Sequence, residues 1–264
     1  MTTVDVRADE YGEFCAAIRR LCGIDLSQYK RGQMERRIRT FAERRGITRL
    51  KDYVPVLAAS KDELDDFLDR VTINVSQLWR NPEQWELLGR TILPEFAGRQ
   101  RFKAWSAGSS YGAEAYTLAA VCAEALPGVR IEIVGTDIDR RMVERARSGI
   151  FSAADGRDVP ARQRARWFSE RDGELHADPE LRSRCRFEAG DLLTMRPPQQ
   201  AYDLVLCRNT VIYFTPEVKD ALHARLAAAV VPGGYFMVGS TERISEPAAL
   251  ALETAHPFVY RRVK

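Results

Sequence analysis

The stretch of sequence best suited to bind a ligand is a glycine turn, Trp105–Tyr116, which reads WSAGSSYGAEAY. An apolar run from Phe102 leads into it and a helical pattern leads out, which predicts a strand, a tight turn and a helix. Glycines 108 and 112 let the backbone bend sharply and approach a ligand, and the helix N-terminus offers N–H groups with no helical partner. The turn is therefore a candidate binding loop, although the pattern also fits a purely structural turn.

Polar side chains follow the later apolar runs: Asp137, Asp191 and the pair Arg208-Asn209. If those runs are parallel strands, these side chains meet the glycine turn at the carboxyl edge of one sheet, where ligands bind. Asp137 can accept hydrogen bonds from both hydroxyls of a ribose, and Asp191 can accept one from an adenine amino group. Each acid alone could equally cap the helix that follows it. Together they predict a ribose-bearing cofactor.

The segment Thr72–Trp85 carries Asn74, Ser76 and Arg80 among β-branched residues and ends in the helix-starting pair Asn81-Pro82. It is predicted to be a linker that folds back over the main domain, where its polar side chains could serve a site. On these residues alone, turn-capping roles for Asn74 and Ser76 and a solvated Arg80 are the favoured interpretation.

Two periodicities divide the chain. From Phe102 onward, apolar runs alternate with helical patterns, which predicts a parallel sheet with helices on both faces. Residues 9 to about 80 carry helical spacing instead, as in Phe14, Ile18 and Leu21, which stop at Gly23. The predicted fold is α/β, with a small all-α domain at the N-terminal side.

Composition favours a globular protein of 264 residues, 45% of them hydrophobic. We expect a cytoplasmic protein, because the sequence has no run of eighteen apolar residues and begins without a signal-peptide pattern. The five cysteines and three histidines have no paired metal-ligand spacing, so no metal site is predicted.

Residues 30–51 form a basic segment with nine basic and two acidic residues. A solvated helix face usually mixes both signs, so this segment predicts the recognition of an acidic partner. Nucleic acid is disfavoured because few aromatic residues are available to stack on bases, and an acidic protein surface fits better.

The motifs together resemble those of the chemotaxis receptor glutamate O-methyltransferases, the CheR family. The matching stretches are TINVSQLWR, WSAGSSYGAEAYTLA, GTDID, DLVLCRNTVIYF and PGGYFMVGSTE, in the family's order, and they span essentially the whole chain. The resemblance implies a small N-terminal helical domain. A doubly wound, Rossmann-like domain that uses S-adenosylmethionine follows, with a small β subdomain inserted at about residues 149–184.

By that resemblance, residues 1–71 form the helical domain, 72–98 a linker and lead-in helix, and 99–264 the methyltransferase domain. It also implies which residues form the site. The cofactor-binding set is Asn74, Ser76, Arg80, Ala107, Glu114, Asp137, Asp191, Asn209 and Thr210. Arg80 and Tyr213 are the implied catalytic residues: we expect Arg80 to orient the substrate carboxylate and Tyr213 to border the substrate opening.

Two positions depart from the family pattern. Relatives usually read GEEPY where this chain has GAEAY, so one of two adjacent carboxylates is replaced by Ala113, and Ser240 stands where many relatives have histidine. If the missing carboxylate holds the cofactor's ammonium group, cofactor binding should weaken unless Glu114 substitutes for it. A cofactor-binding regulator without catalysis is therefore one alternative to an enzyme.

The implied reaction needs little acid–base chemistry. A glutamate side chain, with an ordinary pKa of about 4.3, is already ionised at neutral pH and can attack a methyl group without a general base. The requirement is in-line placement of the reacting atoms, which can contribute roughly 7–11 kcal/mol. A second alternative, a serine hydrolase, rests on the formal GxSxG match at Gly108–Gly112, with Asp203 or Asp220 and His256 following Ser110.

The expected partner is the acidic helical cytoplasmic region of a chemoreceptor, docked on the basic segment through Arg36, Arg37, Arg39 and Arg44. Some relatives tether a receptor's C-terminal peptide through a glycine-rich loop of the inserted subdomain. The corresponding loop, Ser169–Glu174, is short and has one glycine, which disfavours tethering. Nucleic-acid binding and direct membrane insertion are not expected, and a monomer is predicted.

Overall fold

The computed structural model describes residues 6–72, 74 and 76–263, so Ile73 and Val75 of the linker lie outside the described residues. The chain divides into two compact units. The helical unit comprises Met1–Asn74 together with Tyr213–Lys219, and the sheet unit comprises Val75–Ile212 and Asp220–Lys264.

The helical unit contains α1 (Val6–Cys22), α2 (Arg31–Glu43), α3 (Leu50–Ala59) and α4 (Lys61–Thr72). Its core centres on Tyr53, which is fully buried and packs against Phe14 and Phe67 at ring-centroid distances of 6.4 and 5.9 Å. Gly23, at φ +82°, follows α1 and takes the left-handed conformation typical of a helix C-terminus. Helix α3 lies within the region predicted to be helical, although Pro55 stands inside it.

The basic segment is partly neutralised within the helical unit. Arg39, whose side chain is 25% exposed, forms ion pairs with Glu10 at 3.2 Å and Glu35 at 2.8 Å. The predicted docking role of Arg39 would therefore require its guanidinium to exchange these two carboxylates for those of a partner. Arg45 and Arg49 are likewise paired with acidic neighbours. Arg36, Arg37 and Arg44 remain exposed.

In the described part of the sheet unit, a seven-stranded sheet has the order β6-β2-β1-β7-β8-β10-β9. Its strands are β1 (Arg101–Ala107), β2 (Arg130–Asp137), β6 (Cys185–Ala189), β7 (Tyr202–Cys207), β8 (Val230–Val238), β9 (Leu252–His256) and β10 (Val259–Arg262). The first five of the sheet order, from β6 to β8, pair in parallel, and β10 and β9 add an antiparallel edge. The chain runs outward from β1 in both directions, so β1 and β7 flank the topological switch point, where open α/β sheets bind ligands.

The helices of this unit are α5 (Pro82–Leu87), α6 (Ala113–Ala125), α7 (Arg140–Ser148), α8 (Ala161–Trp167), α9 (Pro179–Arg184) and α10 (Pro216–Ala229). A small antiparallel sheet of order β3-β5-β4 is built from β3 (Ile150–Ser152), β4 (Phe168–Arg171) and β5 (Glu174–Ala177). It is inserted between β2 and β6. The predicted fold class, with an all-α region, a doubly wound sheet and an inserted β subdomain, is confirmed.

Strands β1, β2, β6, β7 and β8, with helices between them, follow the alternation of strands and helices that the sequence predicts after Phe102. The antiparallel pair β9–β10 was not predicted. Its register shifts between Val259 and Tyr260, where the regular pairing of the two strands is interrupted. Among the described residues, no helix combines the length and apolar character that crossing a membrane requires.

Candidate active site

The glycine turn leaves β1 at the switch point and is held against the neighbouring strand. The N–H groups of Gly108 and Ser109 both donate to Thr136 O, at 2.9 and 3.0 Å. Gly108 and Gly112 have φ values of +81° and +87°, a region that favours glycine. A Cβ atom added to Gly108 would lie 2.6 Å from Thr210 Oγ1, so the loop after β7 presses directly on the turn.

The same turn holds hydrogen-bonding groups that the protein leaves unused. The Ser109 and Ser110 hydroxyls are buried and make no hydrogen bond to any described residue. Ser110 also takes a left-handed conformation, at φ +47°, which is uncommon for a residue with a side chain. Buried polar atoms without partners are costly, so these hydroxyls fit a ligand that completes the site.

Asp137 lies at the end of β2 and braces the glycine turn. Its Oδ2 accepts from the Ser110 N–H at 2.7 Å, and its Oδ1 accepts from the Asp139 N–H at 3.0 Å. Burial raises the pKa of Asp137 to about 6, although these backbone donors oppose the rise. The helix cap that follows is made by Asp139, which accepts from the Arg141 N–H at 2.9 Å. Asp137 itself does not cap α7.

Glu114, in the first turn of α6, forms a buried ion pair with Arg208. Glu114 Oε1 accepts from the Ser106 hydroxyl at 2.8 Å, and Oε2 accepts from Arg208 Nη1 at 3.2 Å. Burial raises the pKa of the Glu114 carboxyl, and the guanidinium groups of Arg208 and Arg80 oppose that rise. The carboxylate still has acceptor capacity beyond these two bonds.

Arg208, directly after β7, connects several parts of the sheet unit. Its Nε and Nη2 donate to Gln84 Oε1 at 2.9 and 2.7 Å, and Nη2 also donates to Arg80 O at 2.9 Å. Its guanidinium stacks over the Trp85 ring at 4.8 Å. Arg208 was noted only as a strand-end residue in the sequence. The available signal was a cation directly after the apolar run Leu204–Cys207, where an unpaired charge would be costly.

The segment that carries Ser76 and Arg80 is anchored mainly through its backbone. Ser76 O accepts from the Tyr111 hydroxyl, which also donates to Asp155 at 2.8 Å. Arg80 O accepts from Trp85 Nε1 at 2.9 Å as well as from Arg208. The side chains of Ser76 and Arg80 line a cavity of about 340 Å³. Tyr111, which ties this segment to the glycine turn, was not identified from the sequence.

The remaining predicted residues of the sheet unit lie at the ends of β1, β6 and β7. Ala107 is completely buried at the end of β1. Asn209, at φ +58°, donates its N–H to Glu242 Oε2 at 2.8 Å. Asp191 Oδ1 accepts from the Leu193 N–H at 2.8 Å, so this carboxylate stabilises its own turn. Among the described residues, Asp191 is joined to the site indirectly, through the Gly190 N–H that donates to Asp137 O.

Two predicted site residues belong to the helical unit. Asn74 Nδ2 donates to Asp69 Oδ1 at a long 3.4 Å. Tyr213 O accepts from the Lys30 N–H at 2.8 Å, and the Tyr213 ring faces the Arg37 guanidinium at 5.9 Å. Tyr213 therefore lies beside the exposed arginines of the basic segment.

The arrangement does not support a hydrolase triad. Ser110 has no hydrogen-bonded base among the described residues. Asp203 lies near the amino-terminal end of β7, where it accepts from the Lys103 N–H at 2.8 Å, so it is at the wrong end of the strand to act with Ser110. His256 is on the edge strand β9.

Comparisons with known proteins agree with this geometry. Residues 74–257 match the family described as "CheR methyltransferase, SAM binding domain", and residues 9–72 match "CheR methyltransferase, all-alpha domain". A chemotaxis protein methyltransferase of Listeria innocua is 31% identical, over 95% of this chain and 96% of the relative. Relatives of the same description from Vibrio cholerae and Pseudomonas aeruginosa are each 29% identical, covering 93% and 95% of this chain and 93% and 96% of the respective relatives.

The family matches together cover most of the chain, and they fall on the same regions as the helices and the sheet with its strand-end residues. The buried serine hydroxyls, the Asp137 carboxylate and the Glu114 carboxylate provide acceptors suited to a ribose-bearing, cationic cofactor. The chain belongs to the CheR methyltransferase family and is an enzyme that uses S-adenosylmethionine as its methyl donor.

Proposed function

We propose that this enzyme forms methyl esters on glutamate side chains in the acidic helical cytoplasmic region of chemoreceptors, and thereby adapts a signalling pathway. The observation that carries the proposal is the convergence of the glycine turn, Asp137, Glu114 and the Asn209–Thr210 loop at one switch point. No acid–base pair is required there, because an ionised glutamate is already a nucleophile at neutral pH.

The residues that would hold the cofactor are those derived from the family motifs: Asn74, Ser76, Arg80, Ala107, Glu114, Asp137, Asp191, Asn209 and Thr210. Asp137 would accept from the ribose hydroxyls. Glu114 is the candidate acceptor for the cofactor's ammonium group in spite of Ala113, because its carboxylate retains free lone pairs beside Ser106 and Arg208. The unused Ser109 and Ser110 hydroxyls support a polar ligand at the turn.

When bound, S-adenosylmethionine would supply an electrophilic methyl group, and transfer of that group to an ionised glutamate oxygen would release S-adenosylhomocysteine without any proton transfer. Arg80 would orient the glutamate carboxylate. It should orient the carboxylate without fully neutralising its charge, because a strong ion pair would weaken the nucleophile. Tyr213 would border the path by which the receptor segment enters.

Cofactor affinity is expected to fall as the pH is lowered through about 6. The pKa of Asp137 in the folded protein lies above its ordinary 3.8, so the ligand-free protein loses stability from this group as the pH rises towards 6. Cofactor binding has the opposite dependence, since ribose hydroxyls need the ionised carboxylate. Calorimetric titration between pH 5 and 7.5 should show up to about tenfold weaker binding per pH unit below the pKa.

Asp137→Asn is the control for this pH dependence, because its amide does not titrate. The variant should bind more weakly than wild type at pH 7.5 and show a flatter profile. If the affinity of both proteins depended equally on pH, another group would cause the pH dependence and the assignment of Asp137 to the ribose would be wrong.

Receptor docking is supported by a basic pocket of about 380 Å³ in the helical unit. Its charged lining residues are Lys30, Arg36, Arg37, Arg44 and Arg70, with Tyr213 among the others, and no lining residue is acidic. Arg37 Nη1 donates to Arg70 O at 3.0 Å, which fixes the position of one cation in the pocket. An acidic helix would offer carboxylates that complement this charge.

Reversing charge in the basic pocket with Arg36→Glu and Arg44→Glu is expected to raise the KM for receptor membranes by about tenfold at low salt. The difference should shrink as salt screens exposed charges. Arg49→Glu is the matched control, because Arg49 lies in the same segment but pairs with Asp52 at 2.7 Å and does not line the pocket. If Arg49→Glu raised the KM as much as the pocket variants, the effect would come from net charge and not from docking at this pocket.

Tethering of a receptor's C-terminal peptide is not part of this proposal. The strands β4 and β5 are joined by a two-residue turn, Asp172-Gly173, with both residues at positive φ. Such a turn makes a tight hairpin and leaves no extended glycine-rich loop.

The function is tested by two measurements on the full chain. S-adenosylmethionine is titrated by calorimetry, and labelled methyl groups are then followed into chemoreceptor membranes as base-labile esters. Binding together with ester formation is the expected result. Binding without ester formation would favour a regulator that has lost catalysis.

A further inference from the structure

Glu242, in the turn that follows β8, is a buried carboxylate to which the mechanism above gives no role. The residue is 4% exposed. Its Oε2 accepts from the Gly239 N–H at 2.7 Å and from the Asn209 N–H at 2.8 Å. One carboxylate oxygen therefore joins the end of β8 to the loop that follows β7.

The loop held by this oxygen is closely packed. Asn209 has φ +58°, a left-handed conformation that asparagine adopts more readily than most residues with a Cβ atom. A Cβ atom added to Gly239 would lie 2.6 Å from Glu242 Oε2 and 2.9 Å from Asn209 N. The contact thus depends on glycine at 239, and it leaves Asn209 little freedom to relax.

The restraint continues to the glycine turn. Thr210 follows Asn209, and its Oγ1 lies 2.6 Å from where a Gly108 Cβ would be. A shift of the Asn209–Thr210 loop would therefore open or close space at Gly108. Glu242 is thus linked to the glycine turn by two successive contacts, its hydrogen bond to Asn209 and the packing of Thr210 against Gly108.

Burying this carboxylate is unfavourable for folding. Burial raises the pKa of Glu242, and the backbone N–H groups of Asn209, Gly239 and Val211 oppose the rise. The second oxygen, Oε1, is buried without a hydrogen bond to any described residue. A buried acid with one unused oxygen is better explained by a role in the site than by stability alone.

We propose that Glu242 is a positioning residue for cofactor binding, whose single oxygen Oε2 clamps the Asn209–Thr210 loop against the glycine turn. The inference rests on the proposed assignment of Asn209 and Thr210 to the cofactor. Glu242 itself touches neither cofactor nor substrate in this role. Its effect is transmitted through the backbone of Asn209.

The Asn209 and Gly239 N–H groups donate to the same oxygen of Glu242. Substitutions by glutamine and by methionine therefore test separately whether this hydrogen-bond acceptor or the negative charge is required. Glu242→Gln keeps an oxygen acceptor, and its NH2 group would replace Oε1, which has no hydrogen-bond partner among the described residues. Glu242→Met has a similar size but no comparable acceptor. Glu246→Met makes the same chemical change at an exposed glutamate of the same loop and is the matched control.

The measurements are the Kd for S-adenosylmethionine by calorimetry, the KM values for cofactor and receptor, and the thermal unfolding midpoint without cofactor. We expect Glu242→Met to weaken cofactor binding by about tenfold or more, with the receptor KM unchanged. Glu242→Gln should remain close to wild type, and Glu246→Met should have no effect.

Wild-type-like cofactor binding by Glu242→Met would overturn the proposal, as would equal losses in the Met and Gln variants. If Glu242→Met does not fold, Gly239→Ala carries the test, since its Cβ atom would displace Oε2 and should weaken cofactor binding in the same way. Failure of the wild-type enzyme to bind cofactor would instead refute the site assignment on which the inference rests.

Discussion

Replacing Arg80 by alanine is expected to lower kcat for methyl transfer by roughly a hundredfold or more, with a much smaller loss of affinity for S-adenosylmethionine, because Arg80 is only one of nine proposed cofactor contacts. The reason is that the side chain is assigned to orienting the substrate carboxylate, whereas the fold holds Arg80 by its backbone. Arg80 O accepts from Trp85 Nε1 and from Arg208 Nη2, both at 2.9 Å. Truncating the side chain leaves both hydrogen bonds in place.

Arg80→Lys provides an intermediate case, because an ammonium group keeps the charge but cannot present the planar fork of a guanidinium. It should recover only part of the activity if orientation matters more than charge. Arg90→Ala is the matched surface control, since the Arg90 side chain is 80% exposed and forms an ion pair with Glu86 on the neighbouring helical turn.

The two measurements are single-turnover methyl transfer to receptor membranes and calorimetric titration of the cofactor. Parallel loss of turnover and cofactor affinity in Arg80→Ala would assign the guanidinium to the cofactor. If Arg80→Ala had the wild-type kcat, the proposal that Arg80 orients the substrate carboxylate would be wrong.

Replacing Arg208 by methionine is expected to lower the free energy of unfolding by about 3–5 kcal/mol and to abolish activity. The Arg208 side chain is 2% exposed and its ion-pair partner Glu114 is 12% exposed. Without the guanidinium, the Glu114 carboxylate and Gln84 Oε1 lose donors in a buried environment. Arg80 O would also lose one of its two donors, so the linker segment should become less ordered.

A double substitution distinguishes lost pairing from lost packing. In Arg208→Met combined with Glu114→Gln, no uncompensated charge remains, so the double variant should be more stable than Arg208→Met alone. Urea denaturation without cofactor measures this directly and avoids the role of Glu114 in binding. If the stability losses of the two single variants add up to that of the double variant, the ion pair itself contributes no coupling energy. The destabilisation by Arg208→Met would then come from its lost contacts with Trp85 and Gln84.

Much of the parallel sheet could be predicted from local patterns. The run that ends at Ala107 is buried on both faces, and the glycines that follow it suit the positive φ of a tight turn. The same reasoning placed Asp137, Asp191 and Asn209 at strand ends, because parallel strands bring their carboxyl ends to one edge. Local patterns failed at the β9–β10 pair, which was not predicted and whose pairing is irregular.

Side-chain partners could not be predicted in the same way. Arg36 and Arg39 both lie off the apolar stripe of α2, yet only Arg39 is engaged by Glu10 and Glu35. Glu10 lies on a different helix, so its approach depends on how α1 packs against the rest of the unit. The proposed docking surface therefore has fewer unpaired cations than the charge count of the basic segment suggests.

The sequence by itself determined the alternation of strands and helices, the glycine turn and the strand-end positions, since each depends on neighbouring residues and backbone preferences. Only the tertiary structure decided that Arg208 bonds to Gln84, Glu114 and Arg80 O, and that Glu242 holds the Asn209 N–H. Those partners are separated by 33 to 128 positions along the chain. Their contact follows from the strand order, which brings the ends of β1, β7 and β8 together, and no local pattern encodes that order.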